Sequence, residues 1–159
     1  GDHDVLNEQL EEQLLDLSPE EIVGFQRILD ELMEISYRWD LWGVAYLMNG
    51  GCSDDEFVYF RAWLISQGAR LFEAALADAD GTLATVFDPN EEGAYENEGF
   101  LFAAHAAYET KTDRDLFEDA ALDNAHRNHD AEPAGQPWPE DEEALAQRFP
   151  KTFRKLTEG

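Results

Sequence analysis

The stretch from Tyr37 to Gly68 sets what this chain can fold into. Three of its four Trp and three of its five Tyr fall there, between flanks much richer in Asp and Glu. From Trp39 to Met48 apolar side chains surround the helix axis, with Arg38 and Asp40 the only charges nearby. A helix that is apolar on every side is buried on every side. Asn49-Gly50-Gly51 stops it, because Gly and Asn accept the left-handed backbone that ends helices. Ser53 then caps a second helix over residues 54–67. Asp54, Asp55 and Glu56 stand in its first turn, where the helix dipole favours negative charge. Phe57, Val58, Tyr59, Phe60, Ala62, Trp63, Leu64 and Ile65 again leave hardly a polar side. The expected centre is a buried helical hairpin, residues 38–67, hinged at Gly50-Gly51.

The flanks read as cover for that centre. Leu6, Leu10, Leu14 and Leu17 recur three or four residues apart, which gives one apolar stripe on an otherwise solvated helix. Ser18-Pro19-Glu20-Glu21 restarts a helix: Ser18 is a good N-cap, Pro19 suits the first position and Glu21 closes a capping box. Its inward face reads as Ile22, Phe25, Leu29 and Leu32, with Ile28, Met33 and Ile35 beside it. Residues 69–79 read as a fifth helix, and 80–97 as a loop-rich segment in which 82–87 has the composition of a short strand. Helix returns over 98–109, with His105 on its apolar side as a core histidine bonded to a backbone carbonyl, and a short helix is expected over 115–125. Residues 126–144 read as a second loop-rich segment, where Trp138 between two prolines docks the loop. Leu145, Phe149, Phe153 and Leu156 give the tail an apolar face, kinked at Pro150. Arg148, Lys151, Arg154 and Lys155 make that tail a partner for the acidic body. The fold class is all-α, about seven helices in one domain over 1–159.

The charge balance excludes more than it identifies. With 36 Asp and Glu against 11 Lys and Arg, the formal charge is −25. Phosphate contacts need Lys or Arg, so no direct nucleic acid is expected, and anionic membranes are disfavoured too. Basic proteins, cationic peptides and metal ions remain as partners, and keeping the chain soluble explains the charge as well. A single Cys forms no internal disulfide, no apolar run reaches membrane-span length and no leader pattern is visible, so the expected location is cytoplasmic. Gly1 reads as a remnant of a cleaved tag.

Three blocks of the centre, 37–42, 49–55 and 60–68, carry a resemblance. Tyr37-Arg38-Trp39-Asp40-Leu41-Trp42, Asn49-Gly50-Gly51-Cys52-Ser53-Asp54-Asp55 and Phe60-Arg61-Ala62-Trp63-Leu64-Ile65-Ser66-Gln67-Gly68 are similar to the core of a bacterial family called domain of unknown function 4240. Leu17 to Ile22, Pro137-Trp138 and Phe149-Pro150 fit the same pattern, so the resemblance spans about residues 17–157 and is most specific at 37–77. Members often begin with a Phe-Trp pair that this chain lacks. Some stand beside WGR modules in longer proteins, which implies regulatory or interaction roles. The family carries no established activity, so the resemblance assigns no catalytic residue and no cofactor.

The residues that could carry chemistry gather at the hinge. An Arg among so many aromatics requires compensation, because an isolated buried charge is very costly. Arg61 is therefore expected to pair with Asp40, or failing that Asp55. Arg38, Asp40, Trp42, Asn49, Cys52, Asp54, Asp55 and Arg61 form the candidate partner- or ligand-binding set. The plain alternative is an internal ion pair that pins the hairpin. Cys52 precedes a helix N-terminus, a setting that lowers a thiol pKa, yet no base is adjacent and a small buried side chain is the simpler reading. His126, His129 and Asp130 have the spacing of a partial metal site, with Asp123 or Glu132 to complete it. A solvated loop explains them as well. No phosphate loop, nucleophile elbow or zinc-protease helix is present. The functional expectation is an acidic interaction or regulatory module for a basic protein partner. A small-ligand or enzymatic pocket at the hinge and an acidic mimic of nucleic acid are the alternatives.

Overall fold

The computed structural model describes residues 2–91, 94–119, 132–138 and 141–158. Among them the chain is all-α, with no strand. It runs α1 (Asp2–Leu15), α2 (Pro19–Ile35), α3 (Trp39–Asn49), α4 (Asp54–Ser66), α5 (Ala69–Ala77) and α6 (Ala79–Val86). A 3₁₀ helix (Glu98–Phe102) follows, then α7 (Ala103–Thr112), α8 (Leu116–Asp119), α9 (Glu142–Arg148) and α10 (Pro150–Glu158). None of these helices is long and apolar enough to cross a membrane.

Local chemistry explains most boundaries. Ser18 Oγ accepts from the Glu21 amide at 3.2 Å, and Glu21 Oε1 accepts from the Ser18 amide at 3.1 Å, which closes the capping box that starts α2. Ser53 Oγ accepts from the Glu56 amide and starts α4. Gly50 ends α3 with φ +68°, and Gly51 follows at +121°, so the glycine pair does make the left-handed turn. The tail breaks at Pro150, which opens α10.

Three apolar clusters fill the interior. The largest joins α3, α4, α5, α6 and the tail around Leu41, Phe57, Phe60, Leu64, Leu83 and Phe149. A second joins α1, α2, α7 and α8 around Leu14, Ile22, Ala107 and Leu116. A third, with Met33, Val58, Ala62 and Leu101, lies between α2, α4 and the 3₁₀ helix. Helix α4 contributes to two of the three and is buried on nearly all sides.

Four expectations change. Residues 79–86 form a helix, not a loop or strand: Asp78 Oδ1 caps it from the Gly81 amide, and burying Ala79, Leu83 and Ala84 outweighs the strand leaning of Thr82, Thr85 and Val86. The buried face of α2 is Ile22, Gln26, Leu29 and Met33, which turns Ile28 and Ile35 outward at 60% and 53% exposure. Helix α3 is not buried all round, because Trp39, Trp42, Tyr46 and Asn49 form a half-exposed stripe. His105 lies between carboxylates, with Nε2 3.4 Å from Asp115 and Nδ1 4.0 Å from Glu109, and its ring stacks on Phe117.

The tail is fastened by means other than ion pairs with the acidic body. Asp80 accepts from the Lys151 and Thr152 amides at 3.0 and 2.8 Å, capping α10. Lys155 donates to the Phe87 carbonyl and Arg148 to that of Pro137. Trp138 docks as expected, its indole N–H donating to the Trp39 carbonyl at 2.8 Å with the ring edge-on to Trp39. Ala134 also makes two backbone bonds across this contact, accepting from the Trp39 amide and donating to the Tyr37 carbonyl, each 2.9 Å.

Candidate functional site

The turn between α3 and α4 borders a cleft of about 390 Å³. Leu47, Met48, Asn49 and Gly50 supply one wall from the end of α3. Phe87, Pro89, Glu91 and Glu96 supply another from the loop after α6, and Leu156 of α10 closes the third. The loop is held in place by Tyr95, whose hydroxyl accepts from the Asp88 amide at 2.6 Å and whose ring meets Trp63 and Phe87 edge-on. Beyond it the Asn97 amide donates to the Tyr59 carbonyl at 3.0 Å. Fixed at both ends, the loop presents Glu91 and Glu96 beside the glycine turn.

The cleft combines apolar and acidic walls with one buried polar atom that lacks a partner. Asn49 Nδ2 is buried and makes no hydrogen bond, and a desolvated donor left unpaired costs roughly 1–3 kcal/mol. Burial pushes the Glu96 carboxyl above the usual carboxylate range, and Glu56 and Glu98 add to the shift. Cys52 lies in the same field. Burial, then Glu56, Glu96 and Asp54, outweigh Arg61 and push its thiol up to about 12. The expected lowering by the helix N-terminus is overturned: at neutral pH Cys52 is a protonated thiol packed against the main core.

The family described as "Protein of unknown function (DUF4240)" matches residues 1–110. The chain belongs to the DUF4240 family. No curated protein and no solved structure matches it. The DUF4240 match starts upstream of the resemblance seen in the sequence and ends before Pro137-Trp138 and Phe149-Pro150, which lie outside it.

Within the DUF4240 fold the sequence-derived set separates into three places. Arg38 and Asp40 pair with each other at the start of α3, Nε to Oδ1 at 3.0 Å and Nη2 to Oδ2 at 3.2 Å. Asp40 Oδ1 also accepts from the Leu41 amide. Asn49 lines the cleft. Beside it, Trp42 donates its indole N–H to the Cys52 carbonyl at 2.9 Å and fixes the turn, while Asp54 and Asp55 project into solvent from the first turn of α4. Arg61 is buried behind them at 1% exposure.

Neither Asp40 nor Asp55 meets Arg61, which corrects the expected ion pair. Its Nη1 donates to the Met33 carbonyl at 2.6 Å and its Nε to the Phe57 carbonyl at 3.4 Å. The guanidinium carbon stands 4.8 and 4.7 Å from the ring centroids of Tyr37 and Phe57. The Met33 carbonyl at the negative end of α2, the Phe57 carbonyl within α4 and two ring faces stand where a carboxylate was expected. Burial lowers Arg61 to about 10, which still leaves it charged at neutral pH.

Glu91, Glu96, Phe87 and Leu156 are not among the site residues that the sequence suggests. They reach the turn from distant parts of the chain, and two more acids among 36 carry no spacing signal. Among the described residues no cluster of three or more His, Cys, Asp or Glu is arranged to hold a metal. His126, His129 and Asp130 lie outside those residues, as does Asp123.

Proposed function

We propose that this chain is an interaction module that binds a basic protein partner through the acidic surface around the α3–α4 turn. One observation carries the reading: Asp54 and Asp55 stand exposed at the turn, while Arg61 in the same helix is buried at 1% exposure. Burial first, and after it Asp54, Glu56, Glu96 and Glu98, push Tyr37, Cys52 and Glu96 upward. Three of the chain's other cations are engaged elsewhere, Arg114 by Asp119, Lys111 by the Leu15 carbonyl and Lys155 by the Phe87 carbonyl. Like charges left together are held apart from their best arrangement, and a cationic surface laid over them relieves that repulsion.

The test is calorimetric titration with an oligoarginine peptide at about 0.01 M and about 0.15 M ionic strength. Saturable binding of defined stoichiometry that weakens at the higher ionic strength supports the module. Heat that rises without saturation, or none at all at the lower ionic strength, rejects it.

A further inference from the structure

We infer that the cleft beside Gly50 is a recognition pocket for one arginine side chain of the basic partner; this rests on the interaction reading above. Its volume of about 390 Å³ lies near the small end of ligand pockets, roughly 300–1,000 Å³. That suits a single long side chain better than a large cofactor. The walls match arginine along its length. Leu47, Phe87 and Leu156 offer apolar surface to the three-carbon stem, and Glu91 and Glu96 offer carboxylates to the guanidinium. Arginine carries five donors in a planar fork and is more weakly hydrated than lysine, so it tolerates a half-enclosed site better.

Asn49 adds a second, independent reason. Its Nδ2 is buried without a partner, and the residue lines the same cleft. The second torsion of an asparagine is soft. A small turn of the amide offers either its oxygen to a guanidinium N–H or its nitrogen to a peptide carbonyl, and an arginine residue in a peptide supplies both. Positive charge placed here also removes the like-charge crowding between Glu96, Glu56 and Glu98. Binding is therefore strongest when Glu96 is ionised.

The experiment is a titration of the ¹⁵N-labelled chain with acetyl-arginine amide, with acetyl-citrulline amide as the neutral isostere. Saturable shifts at the Asn49 side-chain amide and at the backbone of Gly50 and Glu96, absent with citrulline, are expected. Glu96→Gln weakens binding about tenfold; Glu31→Gln, an exposed acid on α2, leaves it unchanged. Equal affinity for Glu96→Gln and the natural chain, equal shifts with citrulline, or shifts confined to other surfaces would each overturn the pocket. Oligoarginine separates the two readings. If it binds the natural chain and Glu96→Gln equally, the pocket fails and the acidic surface stands; if it does not bind at all, the interaction reading itself fails.

Discussion

The guanidinium of Arg61 closes the end of a helix it does not belong to: its Nη1 donates to the carbonyl of Met33, 28 residues earlier, at 2.6 Å. Met33 lies in the last turn of α2, where carbonyls lack backbone donors. Ser36 Oγ helps from the other side, donating to the Leu32 and Met33 carbonyls at 2.7 and 3.2 Å. Arg61→Met should therefore cost more than the loss of one hydrogen bond, since it leaves that carbonyl partly unsatisfied in the interior. The expected loss is about 2–4 kcal/mol in denaturant unfolding. Arg61→Lys keeps the charge but not the fork, and should fall between the two. A Met variant as stable as the natural chain would remove the helix-closing role.

Gly43 is a contact residue. A Cβ built there runs into the ring of Phe149, and comes within 3.0 Å of Trp138 Nε1. Gly43→Ala should destabilise by about 1–3 kcal/mol through overpacking. Trp fluorescence should report the displacement, because Trp39 and Trp138 lie against each other.

Asp80→Ala should loosen α10 selectively. It frees the amides of Lys151 and Thr152, and a lost N-terminal cap costs about 0.5–2 kcal/mol. Amide exchange should quicken across residues 150–158 and stay unchanged in α2. Asp80→Asn keeps only one of the two acceptor oxygens and turns an NH₂ donor on the other amide, so it should restore part of the protection at most.

Two glutamates should respond to acid with opposite signs. Bonds from the Ser18 backbone and side chain hold the Glu21 carboxyl below its ordinary value of 4.5. Its contribution is complete above that value and disappears as pH falls through the folded pKa. Glu96 is raised, so its cost is present above its folded pKa and is relieved as the pH falls through it, when the native state takes up the proton first. Glu96→Gln should accordingly raise Tm at neutral pH, with the gain fading in acid. Thermal melts across the pH range check both, and a Glu96→Gln variant less stable at neutral pH would contradict the second.

Cys52 should alkylate slowly. With its thiol pushed up to about 12, the thiolate is scarce at neutral pH. Iodoacetamide should modify the folded chain far more slowly than the unfolded one, and mass spectrometry after a timed exposure measures the ratio.

How much of this was legible depends on how local each cause is. The capping box at Ser18, the left-handed Gly50 and the break at Pro150 are written in three or four adjacent residues, and each is where the sequence places it. Trp138 between prolines was readable as an anchor, though its acceptor on Trp39 was not. The partners of Arg61 are not legible because backbone carbonyls have no letter in a sequence, so the residues alone point to a carboxylate. The rotation of α2 depended on which face α4 and α7 would cover, and the pattern Ile22-Phe25-Leu29-Leu32 allowed more than one answer. The cleft was half visible: Asn49 and Gly50 mark its rim, while Phe87, Glu96 and Leu156 arrive only through tertiary packing.

The docking of Trp138 and Phe149 onto α3 bears on where this family's unit stops. The DUF4240 match ends at residue 110, yet the side chains that pack on Gly43 and the Leu156 wall of the cleft come from beyond it. A chain shortened to the matched residues would bare Gly43, leave the Trp39 carbonyl without the indole that bonds it and open the cleft along one side. The boundary at residue 110 thus cuts through contacts made on α3 by Trp138 and Phe149.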